Sequence, residues 1–207
     1  ASPLFQAREH TQSGYDVADC SRLNEDLGTA EDFERLSLTL REREMGLILD
    51  IVPNHMSTAS PRNRWWLDVL ENGPLSPYAT FFDIDWMPLK PDLANKILLP
   101  TLGDQYGKIL ESGQLQLQQE DGAFSLNYHS WRFPLAPGSY ALILTDALTP
   151  LETQLGGEHA DVLELHSILT AVRNLPSRTE TDPARIAEYH REKEFVKHRL
   201  RALLDRS

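Results

Sequence analysis

Polar side chains at the end of one apolar stretch have the types and spacing expected of a ligand-binding site. Residues 46–52 read GLILDIV, and Pro53, Asn54 and His55 follow directly. An apolar run with a single acid, bounded by glycine and proline, predicts a strand buried on both faces. In a β/α barrel, such a parallel strand presents polar groups at its C-terminal end, where the active site lies. We therefore expect Asp50, Asn54 and His55 to contribute to a polar site at the end of a barrel-type strand.

Helix signals precede and follow this predicted strand. Thr29 and Asp32 have the spacing of a capping box, and the helix that they begin is expected to run to about Met45. Residues 65–72 indicate a second, shorter helix. A helix followed at once by a buried strand is half of a βαβ unit, so the pattern favours a mixed α/β fold. Residues 1–28 show no comparable pattern and are expected to form loops.

The second half of the chain is predicted to contain a hairpin and then helices. Residues 114–133 alternate apolar and polar side chains around an Asp-Gly pair at 121–122, which is typical of a two-residue hairpin turn. Apolar residues keep helical spacing over 162–175. An Asp-Pro pair at 182–183 is a start signal for a further helix, which we expect to continue to the end of the chain.

Composition and charge limit the classes of partner. The 207 residues carry a formal net charge of −11 and no block of basic side chains, which argues against nucleic acid and anionic membrane surfaces. No apolar run is long enough for a membrane span, and the chain does not open on a signal-peptide pattern. Cys20 is the only cysteine, which excludes an internal disulfide and is typical of a cytoplasmic protein. The chain opens Ala-Ser-Pro-Leu without a methionine, and we therefore expect a fragment of a longer protein.

Residues 50–55, DIVPNH, resemble the first signature motif of the α-amylase family of glycoside hydrolases and transglycosidases, which lies at the end of the third barrel strand. Residues 14–17, GYDV, and residues 27–33 stand where that family has the loop after the second strand and the next helix. Several further stretches are similar to one branch of the family, whose members convert the reducing-end α-1,4 linkage of a maltooligosaccharide into an α,α-1,1 linkage. These stretches are 65–74, 76–79, 81–86 and 97–100.

The resemblance implies a fold and a division of the chain. It implies a mixed α/β fold, with a partial TIM-type (β/α) barrel segment, an inserted small α+β domain and C-terminal helices. The expected segments are 1–57 for the barrel, 58–140 for the inserted domain with its hairpin, and 141–207 for the helices. The resemblance is specific over about 1–140 and weaker beyond that point.

Sugar-positioning roles follow from the resemblance, residue by residue. His55 corresponds to a histidine that hydrogen-bonds a sugar hydroxyl beside the scissile bond, and Tyr15 to a tyrosine that stacks on that sugar ring. An imidazole and an aromatic face are suited to these tasks. Asp50 is implied to orient neighbouring groups, and Asn54 to hold the loop and the histidine. Asp16, beside Tyr15, is a further substrate-positioning residue in this interpretation.

Two acids and an aromatic residue in the inserted domain, Asp83, Asp85 and Trp86, are implied to lie over the sugar-binding cleft. One position departs from the family pattern, because Ser13 stands where the family usually has a histidine. This departure weakens the case for sugar contacts by the first loop. No histidine pair has the i, i+4 spacing of a helical metal site, so we expect neither a metal nor a cofactor.

The chemistry of the family needs groups that this sequence does not show. Retaining glycosidic chemistry requires a nucleophilic carboxylate and a carboxylic acid roughly 5 Å apart. The family motifs that carry them are not found after His55, so no catalytic residue is assigned and both groups are expected downstream. The predicted function is therefore a fragment of an intramolecular transglucosylase of trehalose biosynthesis, inactive alone. Its expected partners are a maltooligosaccharide and the rest of the parent barrel.

Two other functions stay open. The chain could be a piece of another α-amylase-family hydrolase, or a non-catalytic carbohydrate-binding or interaction module. An apolar strand without neighbours has unpaired edges, so we also expect self-association of the isolated chain or disorder near residues 1–15.

Overall fold

The computed structural model describes residues 2–206, which form a mixed fold of helices and strands. The helices are α1 (Ala30–Glu42), α2 (Arg64–Asn72), α3 (Tyr106–Glu111), α4 (Tyr140–Leu155), α5 (Ala160–Arg173) and α6 (Pro183–Leu204). The strands are β1 (Phe5–Ala7), β2 (Val17–Leu23), β3 (Gln116–Glu120), β4 (Ala123–Tyr128) and β5 (Trp131–Pro134). Backbone contacts divide the chain into two compact units, the first ending at Trp66 and the second beginning at Leu67. No helix between residues 2 and 206 is long and apolar enough to cross a membrane.

A short antiparallel hairpin opens the first unit. β1 pairs with β2 from Phe5 opposite Leu23 to Ala7 opposite Val17, with register irregularities between them. The expectation that residues 1–28 form only loops is wrong for these two strands. β1 has three residues and β2 reads VADCSRL, without a regular apolar alternation, so neither has the pattern that identifies a strand in a sequence.

Helix α1 begins where its capping signal predicts. The Thr29 hydroxyl accepts a hydrogen bond from the Asp32 N–H at 3.2 Å, and the Asp32 carboxylate accepts one from the Thr29 N–H at 2.9 Å. The helix ends at Glu42, three residues before the predicted end near Met45. No residue of α1 is fully buried, so its apolar side chains are at most partly covered in the described chain.

Residues 46–55 do not form the predicted strand. They are irregular and mostly exposed, with Ile48 84% exposed, so the expectation of a strand buried on both faces is wrong. A buried parallel strand needs a neighbour on each side to satisfy its N–H and C=O groups. Among residues 2–206, the only ladders join β1 to β2 and β3 to β4 to β5, and neither sheet includes this segment.

The predicted hairpin forms a three-stranded antiparallel sheet in the second unit. β3 and β4 pair from Gln116 opposite Asn127 to Glu120 opposite Ala123, and β5 pairs with the other edge of β4. The turn residues Asp121 and Gly122 have φ angles of 52° and 76°, the left-handed values that a two-residue hairpin turn requires. A Cβ at Gly122 would lie 2.0 Å from the backbone oxygen of Lys197, so this position also needs glycine for close packing.

The second unit has its core among α4, α5, α6 and the sheet. Asp182 accepts a hydrogen bond from the Ala184 N–H at 3.1 Å and Pro183 is the first residue of α6, as the start signal predicts. The core is a cluster of buried apolar side chains. Its members are Phe124, Tyr140, Leu144, Leu165, Ile168, Leu169, Val172, Val196, Leu200 and Leu203.

A polar anchor joins α6 to the C-terminal end of α2. Glu71 accepts hydrogen bonds from Lys193 Nζ at 2.9 Å and from Lys197 Nζ at 2.8 Å. Asn72 Oδ1 accepts from Lys193 Nζ at 3.0 Å and from the Tyr189 hydroxyl at 3.3 Å. Burial alone raises the pKa of Glu71, but the two ammonium groups together outweigh it and hold that pKa below its usual value.

Candidate functional site

A hydrogen bond between Tyr15 and Asp50 directly links the two motif regions, residues 14–17 and residues 50–55. No other hydrogen bond described in the structure joins them. The Tyr15 hydroxyl donates a hydrogen bond to Asp50 Oδ2 at 2.6 Å across 35 residues of sequence. Tyr15 remains 43% exposed, so a ligand can reach its ring. The Asp50 carboxylate, by accepting this bond and by its negative charge, raises the pKa of Tyr15. The phenol therefore stays neutral at physiological pH.

Tyr15 is positioned by a tight loop between β1 and β2. Gly14 precedes it with a φ of 75°, and the Gly14 N–H donates to the Thr11 hydroxyl at 3.3 Å. Asp16 accepts hydrogen bonds from the side chains of Arg8 and Thr11, and the Arg8 N–H donates to the Asp16 carbonyl at 3.1 Å. Asp16 thus holds the loop together.

The ionisation of Asp16 fits this structural role. Burial is the largest single influence and raises its pKa, but the hydrogen bonds from Thr11 and Arg8 outweigh it and lower the pKa. Arg8 and Thr11 were not identified as functional residues from the sequence. Their role could be recognised only from the β1–β2 hairpin, because it brings residue 8 opposite residue 16. That hairpin was not predicted.

Asn54 and His55 lie exposed near the end of the irregular segment. The Asn54 amide nitrogen is 3.5 Å from His55 Nδ1, so the amide is placed to donate to the ring. Two residues later, the Ser57 N–H donates to the Val17 carbonyl at 2.7 Å, which fixes the segment to the start of β2. The predicted polar residues Asn54 and His55 are therefore accessible, although they do not lie at the end of a strand.

The five predicted residues of the first unit fall into three groups. Tyr15 contacts Asp50, Asn54 contacts His55, and Asp16 contacts loop residues. No hydrogen bond joins one group to another among the described side chains. The exposed hydroxyl, imidazole, amide and carboxylate provide donors and acceptors suited to sugar hydroxyls.

The remaining predicted site residues lie in the second unit. Asp83 and Asp85 are exposed, and Asp85 Oδ1 accepts a hydrogen bond from the Met87 N–H at 3.0 Å. Trp86 is half-buried, and its carbonyl accepts from the Asn95 N–H at 2.8 Å. In residues 2–206, no three or more His, Cys, Asp or Glu side chains are grouped so that they could hold a metal ion.

Comparison with known proteins identifies the family. A model of the α-amylase catalytic domain matches residues 1–130. The chain belongs to the α-amylase family. The predicted motifs at residues 14–17 and 50–55 both lie inside the matched part, so the family expected from those motifs is confirmed.

Similar α-amylase-family proteins include several enzymes of one branch. A putative maltooligosyl trehalose synthase of Mycobacterium tuberculosis is 38% identical over 148 residues, which cover 67% of this chain and 17% of that protein. The solved structure of maltooligosyltrehalose synthase from Arthrobacter ramosus is 41% identical, with a TM-score of 0.55, and the match covers 67% of this chain and 17% of that one. A third match is the structure of DSM5389 glycosyltrehalose synthase, at 30% identity and a TM-score of 0.58, covering 72% of this chain and 18% of that one.

These matches confirm the narrower resemblance found in the motifs, since the similar proteins bear the names of the trehalose-forming branch. The matches also show how much of a relative's length this chain covers. The chain spans 17% of the length of the Mycobacterium tuberculosis relative. A family enzyme of this branch thus contains a great deal of sequence that has no counterpart among these 207 residues.

Proposed function

We propose that this chain is part of a maltooligosyl trehalose synthase and supplies groups that position the maltooligosaccharide. The whole enzyme would convert the reducing-end α-1,4 linkage of its substrate into an α,α-1,1 linkage. The observation that carries the proposal is the 2.6 Å contact between Tyr15 and Asp50. It joins two family motifs in a chain whose relatives at 38–41% identity are named as such synthases.

Each residue of the first unit has a distinct role in this proposal. The ring of Tyr15 stacks on the apolar face of a glucose unit, and its bond to Asp50 fixes the ring orientation. His55 exchanges hydrogen bonds with sugar hydroxyls, and Asn54 orients the imidazole. Asp16 acts indirectly, because it holds the loop that carries Tyr15.

In the longer protein, we infer that residues 1–57 form part of a TIM-type barrel. The partly covered α1 and the exposed apolar side chains of residues 46–51 support this, because both have apolar surface that neighbouring barrel elements would cover. With strands on each side, residues 46–52 gain the ladder partners that they lack in the described chain. Asp83, Asp85 and Trp86 then belong to an inserted domain over the cleft.

The reaction itself needs groups from elsewhere in the enzyme. A nucleophilic carboxylate would form a covalent glucosyl-enzyme while an acid protonates the leaving oxygen. The freed terminal glucose then turns within the closed site and attacks through its anomeric hydroxyl in place of water. The parent enzyme is proposed to be cytoplasmic, which the free, exposed thiol of Cys20 supports.

The binding role is tested by calorimetric titration of the 207-residue chain with maltopentaose. His55→Ala and Tyr15→Ala should each weaken binding by about tenfold, the equivalent of about 1.4 kcal/mol. Matched controls are His198→Ala and Tyr106→Ala, which remove the same side-chain types from exposed positions in the second unit. Equal affinity in the two site variants and the wild type would place the sugar site elsewhere.

The catalytic part is tested by incubating the same chain with maltopentaose and counting reducing ends. Isomerisation removes reducing ends, whereas hydrolysis adds them. The proposal expects no change for this chain alone, because it assigns the carboxylates to other parts of the enzyme. A rise in reducing ends would instead identify a hydrolase with its acids inside these residues.

A further inference from the structure

A polar pocket of about 200 Å³ lies in the first unit, and none of the proposed sugar-positioning residues lines it. It is bounded by β1, β2, the loop that follows β2 and the start of α2. Its lining is rich in charge, with three arginines and two acids. The lining residues are Gln6, Asp19, Arg22, Glu25, Pro61, Arg62 and Arg64. The proposed function uses no part of it.

The guanidinium groups of the lining differ in how they are paired. Arg22 binds Glu25 at 2.5 Å, and Arg62 binds Glu9 at 3.1 Å. Arg64, the first residue of α2, donates its backbone N–H to the Arg62 carbonyl at 3.0 Å, but its exposed side chain makes no ion pair or hydrogen bond with any described residue. An arginine side chain offers five N–H donors in a planar fork, which suits the oxygens of a phosphate or carboxylate. The pocket therefore has one unused cationic group at its edge.

The floor of the pocket contains an unused acceptor. Gln6 is 3% exposed, and its Nε2 donates to the Ala7 carbonyl at 3.1 Å and to Asn24 Oδ1 at 3.2 Å. Its carbonyl oxygen Oε1 accepts no hydrogen bond from the described residues. This atom is not among the buried side-chain atoms that lack a partner, so it is accessible and can accept a hydrogen bond from a ligand or from water.

The carboxylate of Asp19 provides a second acceptor, because only one of its two oxygens is used by the described residues. Asp19 Oδ1 accepts hydrogen bonds from the Ser21 N–H at 2.8 Å and the Ser21 hydroxyl at 2.6 Å. No described residue donates to its other oxygen, Oδ2. The pocket thus offers an unpaired cation together with neutral and anionic acceptors. That combination matches a ligand with both an anionic group and hydroxyl groups.

We propose that this pocket binds a small hydroxylated anion of the sugar-phosphate class. The anionic group binds Arg64, with Arg62 beside it in the lining, and a hydroxyl of the ligand donates to Gln6 Oε1. A neutral sugar would leave the Arg64 guanidinium without a counter-charge. The proposal goes beyond the proposed function, because it shares no residue with the maltooligosaccharide site and can hold or fail independently.

The test is calorimetric titration of the 207-residue chain with glucose 6-phosphate, inorganic phosphate and glucose in separate arms. Glucose 6-phosphate should bind at least about tenfold more tightly than either of the other two, since it alone uses both kinds of contact. Arg64→Gln should weaken its binding by about tenfold, the equivalent of about 1.4 kcal/mol. Added sodium chloride should also weaken it, because exposed charges are screened.

The matched control is Arg43→Gln, which removes an exposed arginine of the same unit that does not line the pocket. Circular dichroism establishes that both variants fold like the wild type. The proposal is overturned if glucose 6-phosphate gives no heat of binding at millimolar concentration. It is likewise overturned if glucose or inorganic phosphate binds as tightly as glucose 6-phosphate. It is also overturned if Arg64→Gln and Arg43→Gln behave alike. A parallel maltopentaose titration of Arg64→Gln should match the wild type, which separates this pocket from the sugar-positioning residues.

Discussion

At the scale of single residues, the decisive contact is between a phenol and a carboxylate that are distant in sequence. Asp50 was identified from its place in an apolar run and Tyr15 from a motif in another loop, but neither pattern indicates that they touch. The structure joins them at 2.6 Å. A carboxylate that accepts from a tyrosine both fixes the ring and disfavours its ionisation.

Substitution of Asp50 should therefore be visible in the titration of Tyr15. The change Asp50→Asn removes the negative charge and the strongest acceptor, so the pKa of Tyr15 should fall towards its ordinary value. Ultraviolet difference titration of tyrosinate absorbance measures the effect. Subtracting the profile of Tyr15→Phe in each background isolates the residue, and an unchanged profile in Asp50→Asn would show that the two groups do not interact in solution.

At the scale of elements, local signals predicted helices and turns well, whereas strands that depend on distant partners were predicted poorly. Thr29 with Asp32 and Asp182 with Pro183 begin helices in the structure, because a cap is satisfied within three residues of sequence. The Asp-Gly pair at 121–122 likewise forms its turn. The strand expected at 46–52 is absent from the described chain, because an apolar run predicts burial but does not supply the neighbouring strands that a buried strand needs.

The anchor between α2 and α6 could not be predicted either, since Glu71 and Lys193 are 122 residues apart. Glu71→Gln should destabilise the fold by about 3 kcal/mol at pH 7, because Lys193, only 6% exposed, would lose its buried carboxylate partner and keep only the exposed Glu194 at 3.5 Å. Urea unfolding measures the change. Glu188→Gln is the control, since Glu188 pairs with Arg185 at the surface within one helix turn, and its loss should cost less than about 1 kcal/mol.

The same anchor gives a pH dependence with a defined sign. The folded-state pKa of Glu71 lies below the unfolded value, so its contribution to stability is present above the unfolded pKa. It is lost as the pH falls through the lower folded-state value. The wild type should therefore lose its advantage over Glu71→Gln on acidification below pH 4.5, the ordinary value. A stability difference that persists undiminished at pH 2 would rule out the ion pair as its source.

Two glycines with left-handed φ angles form a matched pair, Gly122 in the hairpin turn and Gly113 just after α3. Gly122→Ala requires a left-handed φ of 76° and brings a Cβ to 2.0 Å from the Lys197 carbonyl oxygen. Gly113→Ala meets a φ of 69° with nothing within 4 Å. Both changes should lower the free energy of unfolding by about 1 kcal/mol because of the backbone conformation. Gly122→Ala should lower it by at least about 2 kcal/mol more, as measured by thermal or urea unfolding. Equal losses would mean that the turn does not pack against α6 as described.

At the scale of the whole molecule, much apolar surface is uncovered in the first unit. Leu36, Leu38 and Met45 are 47%, 50% and 57% exposed, and no residue of α1 is fully buried. Apolar side chains exposed in this way commonly mark contacts with another part of a protein or with a second copy of the chain. The net charge of −11 opposes association but is screened by salt.

The isolated chain should therefore self-associate through these exposed apolar side chains at moderate salt. Sedimentation velocity across a range of concentrations measures the distribution of species. The double change Leu36→Ser and Leu38→Ser should shift the chain towards monomer, whereas Leu142→Ser, which removes a 75% exposed leucine from α4, should not. A wild-type chain that stays monomeric at all concentrations would contradict this expectation.

Nuclear magnetic resonance of labelled tyrosine and histidine rings tests most directly whether Tyr15 and His55 bind a glucose unit. On addition of maltopentaose, the ring signals of Tyr15 and His55 should shift together and saturate at one affinity, while that of the exposed Tyr106 stays fixed. If the sugar moves other signals and leaves these two in place, or moves none, the account of this chain as a carbohydrate-positioning segment is contradicted.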